Sequence, residues 1–109
     1  MNLYKKLELT LKRADTINES SDDQAIADVA SDLGLMHITF SDHIRNMVAD
    51  EYTAGLVADL GRAHHWAIKH QYSVRNIRPE YPEFHESLRR FREEIDYVRE
   101  TLSEARKHE

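Results

Sequence analysis

The chain contains no cysteine, and only three glycines and two prolines punctuate its 109 residues. Without cysteine it has no disulfide, no thiolate nucleophile and no thiolate metal site. So few turn-forming residues cannot supply the turns of a sandwich or barrel built from short strands, and they favour a few long helices. The composition therefore predicts an all-α fold.

Long apolar runs are absent as well. No window approaches the roughly 18 apolar residues that a membrane-spanning helix requires, and the charged start of the chain lacks the apolar run of a signal peptide. Hydrophobic residues make up 40% of the chain and charged residues 32%, which is typical of a globular protein. We therefore expect one helical domain over residues 1–109, no membrane association and a cytoplasmic location.

The net charge of −5 is unevenly distributed along the chain. Residues 21–51 hold seven acidic side chains against Arg45 alone, whereas residues 62–79 hold four basic side chains and no acidic one. An acidic stretch and a basic segment are thus separate features of the sequence.

Hydrophobic spacing predicts two helices in the first third of the chain. Residues 2–19 carry apolar side chains three and four positions apart, which make one helical stripe. Ser21 and Gln24 have the spacing of a capping box for a second helix, and Gly34 suits its C-terminal cap. Residues 35–40 are then a buried connection, because no other strand-like run exists to pair with them.

Ser41 is the predicted N-cap of a third helix that reaches about Ser73, with a kink or break near Gly61 because glycine weakens a helix. Residues 73–82 form a linker, and Pro82 suits the first position of the last helix. This last helix has the clearest pattern in the chain, a heptad seam with spacings of four and three. The seam consists of Phe84, Leu88, Phe91, Ile95, Val98 and Leu102.

These elements predict three to four helices in an elongated bundle with a long C-terminal antiparallel hairpin. A final helix of about 25 residues is roughly 37 Å long, well above the radius of gyration of about 13 Å for a compact domain of this size. We expect another copy of the chain to cover the seam, so that the six seam residues form an oligomer interface. The alternative is that the first helix covers the seam within one chain.

The seven histidines do not form a local metal site. Such a site on a helix needs ligands three or four residues apart, and no two histidines have that spacing. The chain also lacks glycine-rich phosphate-binding loops and the serine context of a nucleophile elbow. The sequence thus indicates no catalytic residue, no metal and no cofactor, and we expect a protein that is not an enzyme.

Residues 24–45 (QAIADVASDLGLMHITFSDHIR) resemble a helix-turn-helix, with Gly34 at the turn and Leu33 and Phe40 at core positions. The resemblance implies DNA binding, but Arg45 is the one reliable cation that the motif offers. Lys and Arg supply most of the affinity for DNA phosphates, so an acidic segment is poorly suited to this task. An amphipathic helix pair with a glycine cap explains the same pattern.

Residues 62–81 are the candidate functional surface. They hold the only tryptophan and every lysine and arginine between Arg45 and Arg89. Aromatic side chains beside cations suit a protein hot spot, a single-stranded nucleic acid or a planar anion. The alternative is a tryptophan in the core and cations on a solvated surface. The candidate binding residues are Arg62, His65, Trp66, Lys69, His70, Tyr72, Arg75 and Arg78.

The sequence therefore predicts a small non-enzymatic interaction or regulatory module that has a protein partner and self-associates through its last helix. The other interpretation is a binder of nucleic acid, a nucleotide or another anionic ligand that uses residues 62–81.

The resemblance to a helix-turn-helix should not confer binding to duplex DNA. With one cation in an acidic segment, affinity for a random duplex at about 50 mM salt should be weak or undetectable in a fluorescence anisotropy titration. Tight, sequence-selective binding that Arg45→Ala abolishes would contradict this expectation.

Overall fold

In the computed structural model, residues 2–45 and 51–108 are described, and they form four helices and no strand. The molecule is elongated, with extents of 46 × 20 × 19 Å. The all-α prediction and the elongated bundle are both confirmed. The helices are α1 (Leu3–Ala14), α2 (Asp23–Arg45), α3 (Glu51–Asn76) and α4 (Pro82–Lys107).

Helix α3 packs along both α2 and α4, while α1 contacts α2 and α4. Arg75 near the end of α3 reaches Asp23 at the start of α2, so these two helices are antiparallel. Likewise His70 in the second half of α3 contacts Ser87 near the start of α4. The predicted C-terminal hairpin therefore consists of α3 and α4.

Helix α1 is shorter than the predicted helix over residues 2–19. It ends at Ala14, and the polar residues after it form their own local hydrogen bonds. The Asn18 side chain accepts from the Ser20 N–H at 2.7 Å, and the Ser21 hydroxyl accepts from the Asn18 N–H at 2.9 Å. Such bonds compete with helical hydrogen bonding, so the helix does not continue.

The start of α2 is capped by a different residue from the one predicted. The Asp22 carboxylate accepts a hydrogen bond from the Ala25 N–H at 2.8 Å. Gln24 donates to Asp28 at 2.8 Å rather than closing a capping box with Ser21. The position of the helix start is nearly as predicted, but its cap is the aspartate, another favoured N-cap residue.

Helix α2 continues through Gly34 and residues 35–40 without a turn, so three predictions for this region are wrong. Gly34 is not a C-cap, residues 35–40 are not a connection, and Ser41 does not begin a helix. Residues 24–45 belong to one helix, which rules out both the helix-turn-helix and the alternative of a helix pair with a glycine cap. Buried side chains repeat every three or four residues past the glycine, so packing on the core offsets the poor helix propensity of this position. Those buried side chains are Ile26, Val29, Ala30, Leu33, Met36 and Phe40.

Two glycines bring α2 and α3 close together, and each receives an imidazole from the opposite helix. The His64 ring lies against Gly34, where an added Cβ would be 3.0 Å from Nε2. The His37 ring lies against Gly61, where an added Cβ would be 3.3 Å from Nε2. Any larger side chain at Gly34 would displace the histidine ring, so the glycines serve packing.

Helix α3 is uninterrupted from Glu51 to Asn76, so the predicted kink or break near Gly61 is not a break in the helix. The predicted helix over residues 41–73 is divided differently, since residues 41–45 belong to α2. Residues 46–50 lie outside the described part of the chain. The linker between α3 and α4 is residues 77–81, shorter than predicted, and Pro82 begins α4 as expected.

The heptad seam of α4 faces the core of the same chain. All six seam residues are at most 4% exposed. The prediction that they form an interface between copies is therefore wrong, because α1 and α3 of the same chain pack against this helix. This buried set is Phe84, Leu88, Phe91, Ile95, Val98 and Leu102.

Ion pairs fasten the short helix α1 to α4. Arg99 donates to Asp15, the residue after α1, at 2.6 Å. Arg106, two turns further along α4, is paired with Glu8, about two turns closer to the start of α1. Both pairs are partly exposed, so they contribute modestly to stability and mainly orient α1. The apolar face of α1 then covers the side of the core between α2 and α4.

Because the seam belongs to the core, Phe91→Ala should lower the free energy of unfolding by about 3–5 kcal/mol through lost burial and a cavity. Urea denaturation followed by circular dichroism measures the change. Tyr97→Ala on the same helix is the matched control, since Tyr97 is exposed and its loss should cost less than about 1 kcal/mol. Equal effects of the two substitutions would contradict the assignment of the seam to the core.

Candidate functional site

The eight candidate binding residues do not form one surface. Trp66, Lys69 and Tyr72 lie together in a groove between α3 and α4. His65 is exposed beside the tryptophan, while His70 is buried in the core. The three arginines of the set are engaged in ion pairs with acidic side chains of the same chain.

Arg62 connects two buried carboxylates between α3 and α4. Its Nε donates to Glu94 at 3.0 Å, and its Nη2 is paired with Asp59 on the preceding turn. Thr101 donates a further hydrogen bond to Asp59 at 2.6 Å. The hydrogen bond to Glu94, together with both negative charges, raises the pKa of Arg62. This arginine is therefore a structural cation that neutralises buried acids.

Arg75 and Arg78 are likewise paired. The Arg75 guanidinium lies 3.0 Å from Asp23, and Gln71 donates to the same carboxylate at 3.1 Å, which joins the end of α3 to the start of α2. Arg78 in the linker lies 4.0 Å from Glu80. The basic segment of the sequence thus has little unpaired positive charge in the fold.

Trp66 is half-buried at one end of the groove between two cations. The Lys69 ammonium lies 5.2 Å from the centre of the ring, and the Arg90 guanidinium lies 5.7 Å from it. His65 contacts the ring edge-on, with 5.5 Å between ring centres. Cation–π contacts hold the indole in place, so Trp66 serves as a fixed wall.

The groove has a volume of about 490 Å³ and is largely apolar. Ile68 and Tyr72 on its α3 wall are 48% and 61% exposed, so this wall presents two large, mainly apolar side chains to solvent. Helix α4 forms the other wall with polar residues. The lining residues are Trp66, Ile68, Lys69, Tyr72, Ser73, Glu83, Glu86 and Ser87.

The charges on the groove are balanced rather than basic. Glu86 accepts hydrogen bonds from Arg89 and Arg90, which lower the pKa of its carboxyl group. Glu83 makes no ion pair or hydrogen bond with any side chain in the described part of the chain, and the Lys69 ammonium makes no ion pair there. The groove therefore offers one unpaired charge of each sign, on opposite walls.

A small polar cluster lies beneath the groove. The Ser87 hydroxyl is 2.8 Å from Nδ1 of His70, 3.1 Å from the Ser73 hydroxyl and 3.0 Å from the Phe84 carbonyl oxygen. Ser73 donates to the Lys69 carbonyl at 3.2 Å. The two serines line the groove, while the histidine lies wholly behind them.

His70 is a core residue, and its prediction as a binding residue is wrong. It is 0% exposed, and its ring packs edge-on against Phe84 with 5.0 Å between centres. Its Nε2 has no hydrogen-bond partner among the described residues. Burial, assisted by the positive charge of Arg92, lowers the pKa of His70 to about 4. The imidazole is therefore neutral at physiological pH.

Five of the eight groove residues were not predicted from the sequence. The missed residues are on α4, chiefly Glu83, Glu86 and Ser87, together with Ile68 and Ser73 on α3. A signal was available, because placing the two helices of the hairpin antiparallel brings the first turns of α4 opposite the last turns of α3. The heptad pattern alone does not give the exact register of α4 against α3, which determines which α4 residues line the groove.

The described residues contain no group of three or more histidine, aspartate or glutamate side chains placed to hold a metal ion. Within the same residues, no helix combines the length and the apolar character needed to cross a lipid bilayer. The groove therefore offers a largely apolar surface and two separated charges.

Comparison of the chain with protein-family models, with curated proteins and with solved structures gave no match.

The buried histidine should make stability depend on pH between about 7 and 5. Because the pKa of His70 falls from 6.5 to about 4 on folding, the unfolded chain binds a proton that the folded chain excludes. The free energy of unfolding is therefore highest above pH 6.5 and decreases as the pH falls towards 4. At pH 5 it should be about 2 kcal/mol lower than at neutral pH. His64, whose pKa burial also lowers, acts in the same direction.

Denaturation of wild type and His70→Phe at a series of pH values measures this effect. The phenylalanine variant should show a clearly shallower loss of stability between pH 7 and pH 5, whatever its absolute stability. His85→Gln is the matched control, since His85 is exposed and should leave the slope as in wild type. Identical slopes for wild type and His70→Phe would refute the role of His70.

Proposed function

We propose that the protein is a non-enzymatic interaction module whose groove between α3 and α4 binds a short segment of another protein. The observation that carries this proposal is the apolar wall formed by exposed Ile68 and Tyr72 beside half-buried Trp66. Exposed apolar side chains around a fixed tryptophan are typical of binding hot spots, because their burial releases water from a large apolar area.

The two unpaired charges specify the chemistry of that segment. A bulky apolar side chain fits between Trp66 and Tyr72, since about 490 Å³ is ample for one or two large side chains. A basic residue of the partner meets Glu83, near the linker, and an acidic residue meets Lys69. Such charges contribute mainly to the orientation and specificity of binding.

The fold gives less support to the alternative, a binder of nucleic acid or another polyanion. Binding to phosphates requires several unpaired cations, whereas Arg62, Arg75 and Arg78 are paired with acidic side chains. Glu83 and Glu86 on the facing wall would also repel a phosphate backbone. A balanced, apolar groove suits a peptide better.

Selection from a random peptide display library tests the proposal. Wild-type protein is the target, and the Ile68→Glu variant is used to remove peptides that bind elsewhere. We expect enriched peptides to share a bulky apolar residue with a basic residue nearby. Their affinity should fall at least about tenfold with Tyr72→Ala, and Glu83→Lys should weaken peptides that carry the basic residue.

Ile38→Glu on α2 is the matched control, because it alters another exposed isoleucine that lies outside the groove and should leave peptide binding intact. Failure to enrich any peptide over the Ile68→Glu variant would refute the proposal. Binding of single-stranded oligonucleotides that falls steeply with salt and is lost in Lys69→Glu would favour the polyanion instead.

A further inference from the structure

A second exposed surface lies on α2, separate from the groove. Leu35 and Ile38 are 60% and 59% exposed on this helix, and Leu9 of α1, 45% exposed, lines a shallow cleft together with Leu35. Three exposed aliphatic side chains on one side of the molecule form an apolar patch, and such patches are typical of interaction surfaces.

The patch is the centre of a regular stripe along the helix. Successive members are separated by three and four residues, and every one of them is exposed. This is the spacing of a coiled-coil seam, here on the solvent side of α2 rather than towards the core. The stripe of α2 consists of Asp28, Ser31, Leu35, Ile38, Asp42 and Arg45.

We propose that a second copy of this chain covers the stripe, with the two α2 helices packed antiparallel. An antiparallel pair centred between residues 36 and 37 places Leu35 against Ile38 of the other copy, on both sides of the two-fold axis. The same register places Asp28 against Arg45. The stripe is thus complementary to itself, as an interface with two-fold symmetry requires.

Charge favours the antiparallel over the parallel orientation. A parallel pair in register would place Asp28 against Asp28 and Arg45 against Arg45, so both ends would repel. The antiparallel pair instead brings opposite charges together at each end, about 26 Å apart for 17 residues of helix. Within one chain Arg45 lies 3.7 Å from Asp42 and Gln24 donates to Asp28, and both contacts are at the surface and can persist in the dimer.

The interface is small, since it consists of one helix from each copy with the addition of Leu9. Contacts of this size give weak, concentration-dependent dimers rather than obligate ones. The surface is independent of the groove, because Ile68 and Tyr72 belong to α3 and the stripe belongs to α2.

Sedimentation equilibrium of the full chain from about 10 µM to about 1 mM tests the proposal. The wild-type mass should rise from one chain towards two. Ile38→Glu should remain at the mass of one chain with unchanged helicity, because the side chain is exposed in the monomer. Ile68→Glu in the groove should dimerise like wild type. A wild-type mass of one chain throughout, or loss of the dimer in Ile68→Glu alone, would overturn the proposal.

Charge reversal tests the register. Asp28→Arg and Arg45→Asp should each weaken the dimer at least about tenfold, and the double variant should restore it because the pairs are re-formed with exchanged signs. No weakening in the single variants, or no recovery in the double variant, would overturn the antiparallel register.

Cross-linking gives a direct measure of orientation. The chain has no cysteine, so Leu35→Cys and Ile38→Cys each provide one thiol. Under mild oxidation a mixture of the two variants should give mainly the mixed disulfide, since only residues within about 7 Å between Cα atoms can be joined. Homodimeric disulfides in excess would indicate a parallel pair and overturn the proposal.

Discussion

The central position of α3 constrains most of the molecule, because this helix must fit α2 on one side and α4 on the other. Towards α2 the fit is steric, because a histidine ring of each helix packs directly against a glycine of the other, at Gly34 and at Gly61. Towards α4 it is also electrostatic, since buried Asp59 and Glu94 share the Arg62 guanidinium. Only a narrow face of α3 is left exposed to solvent. The groove lies where this face meets α4.

The two proposed surfaces have different consequences when they occur together. A dimer through α2 carries two grooves, so a partner with two suitable segments can engage both at once. The second binding event is then intramolecular, and the overall affinity can exceed that of one groove without any new contact. A weak dimer would in turn be stabilised by such a partner, because the partner binds the dimer more tightly than the separate chains.

The fold class and α4 could be predicted from the sequence, because the seam from Phe84 to Leu102 keeps one period over the whole helix. The continuity of α2 could not, since Gly34 is a good helix terminator by propensity and only the His64 ring explains why it lies mid-helix. For the candidate groove, the clustering of aromatic and basic residues in the sequence indicated Trp66 and Tyr72. The residues of the α4 wall could not be predicted, because they depend on the register of α4 against α3. The ion pairs of the arginines could not be predicted either, because their acidic partners are set by side-chain geometry in the fold.

The exchange of glycine and histidine between α2 and α3 also limits how the sequence can evolve. A side chain at Gly34 takes the space that the His64 ring occupies, and Gly61 stands in the same relation to His37. Growth at one position of a pair therefore requires the facing side chain to shift or to become smaller. Relatives of this protein would show residues 34 and 64 varying together in size, and residues 37 and 61 varying together, even though each pair is far apart along the chain.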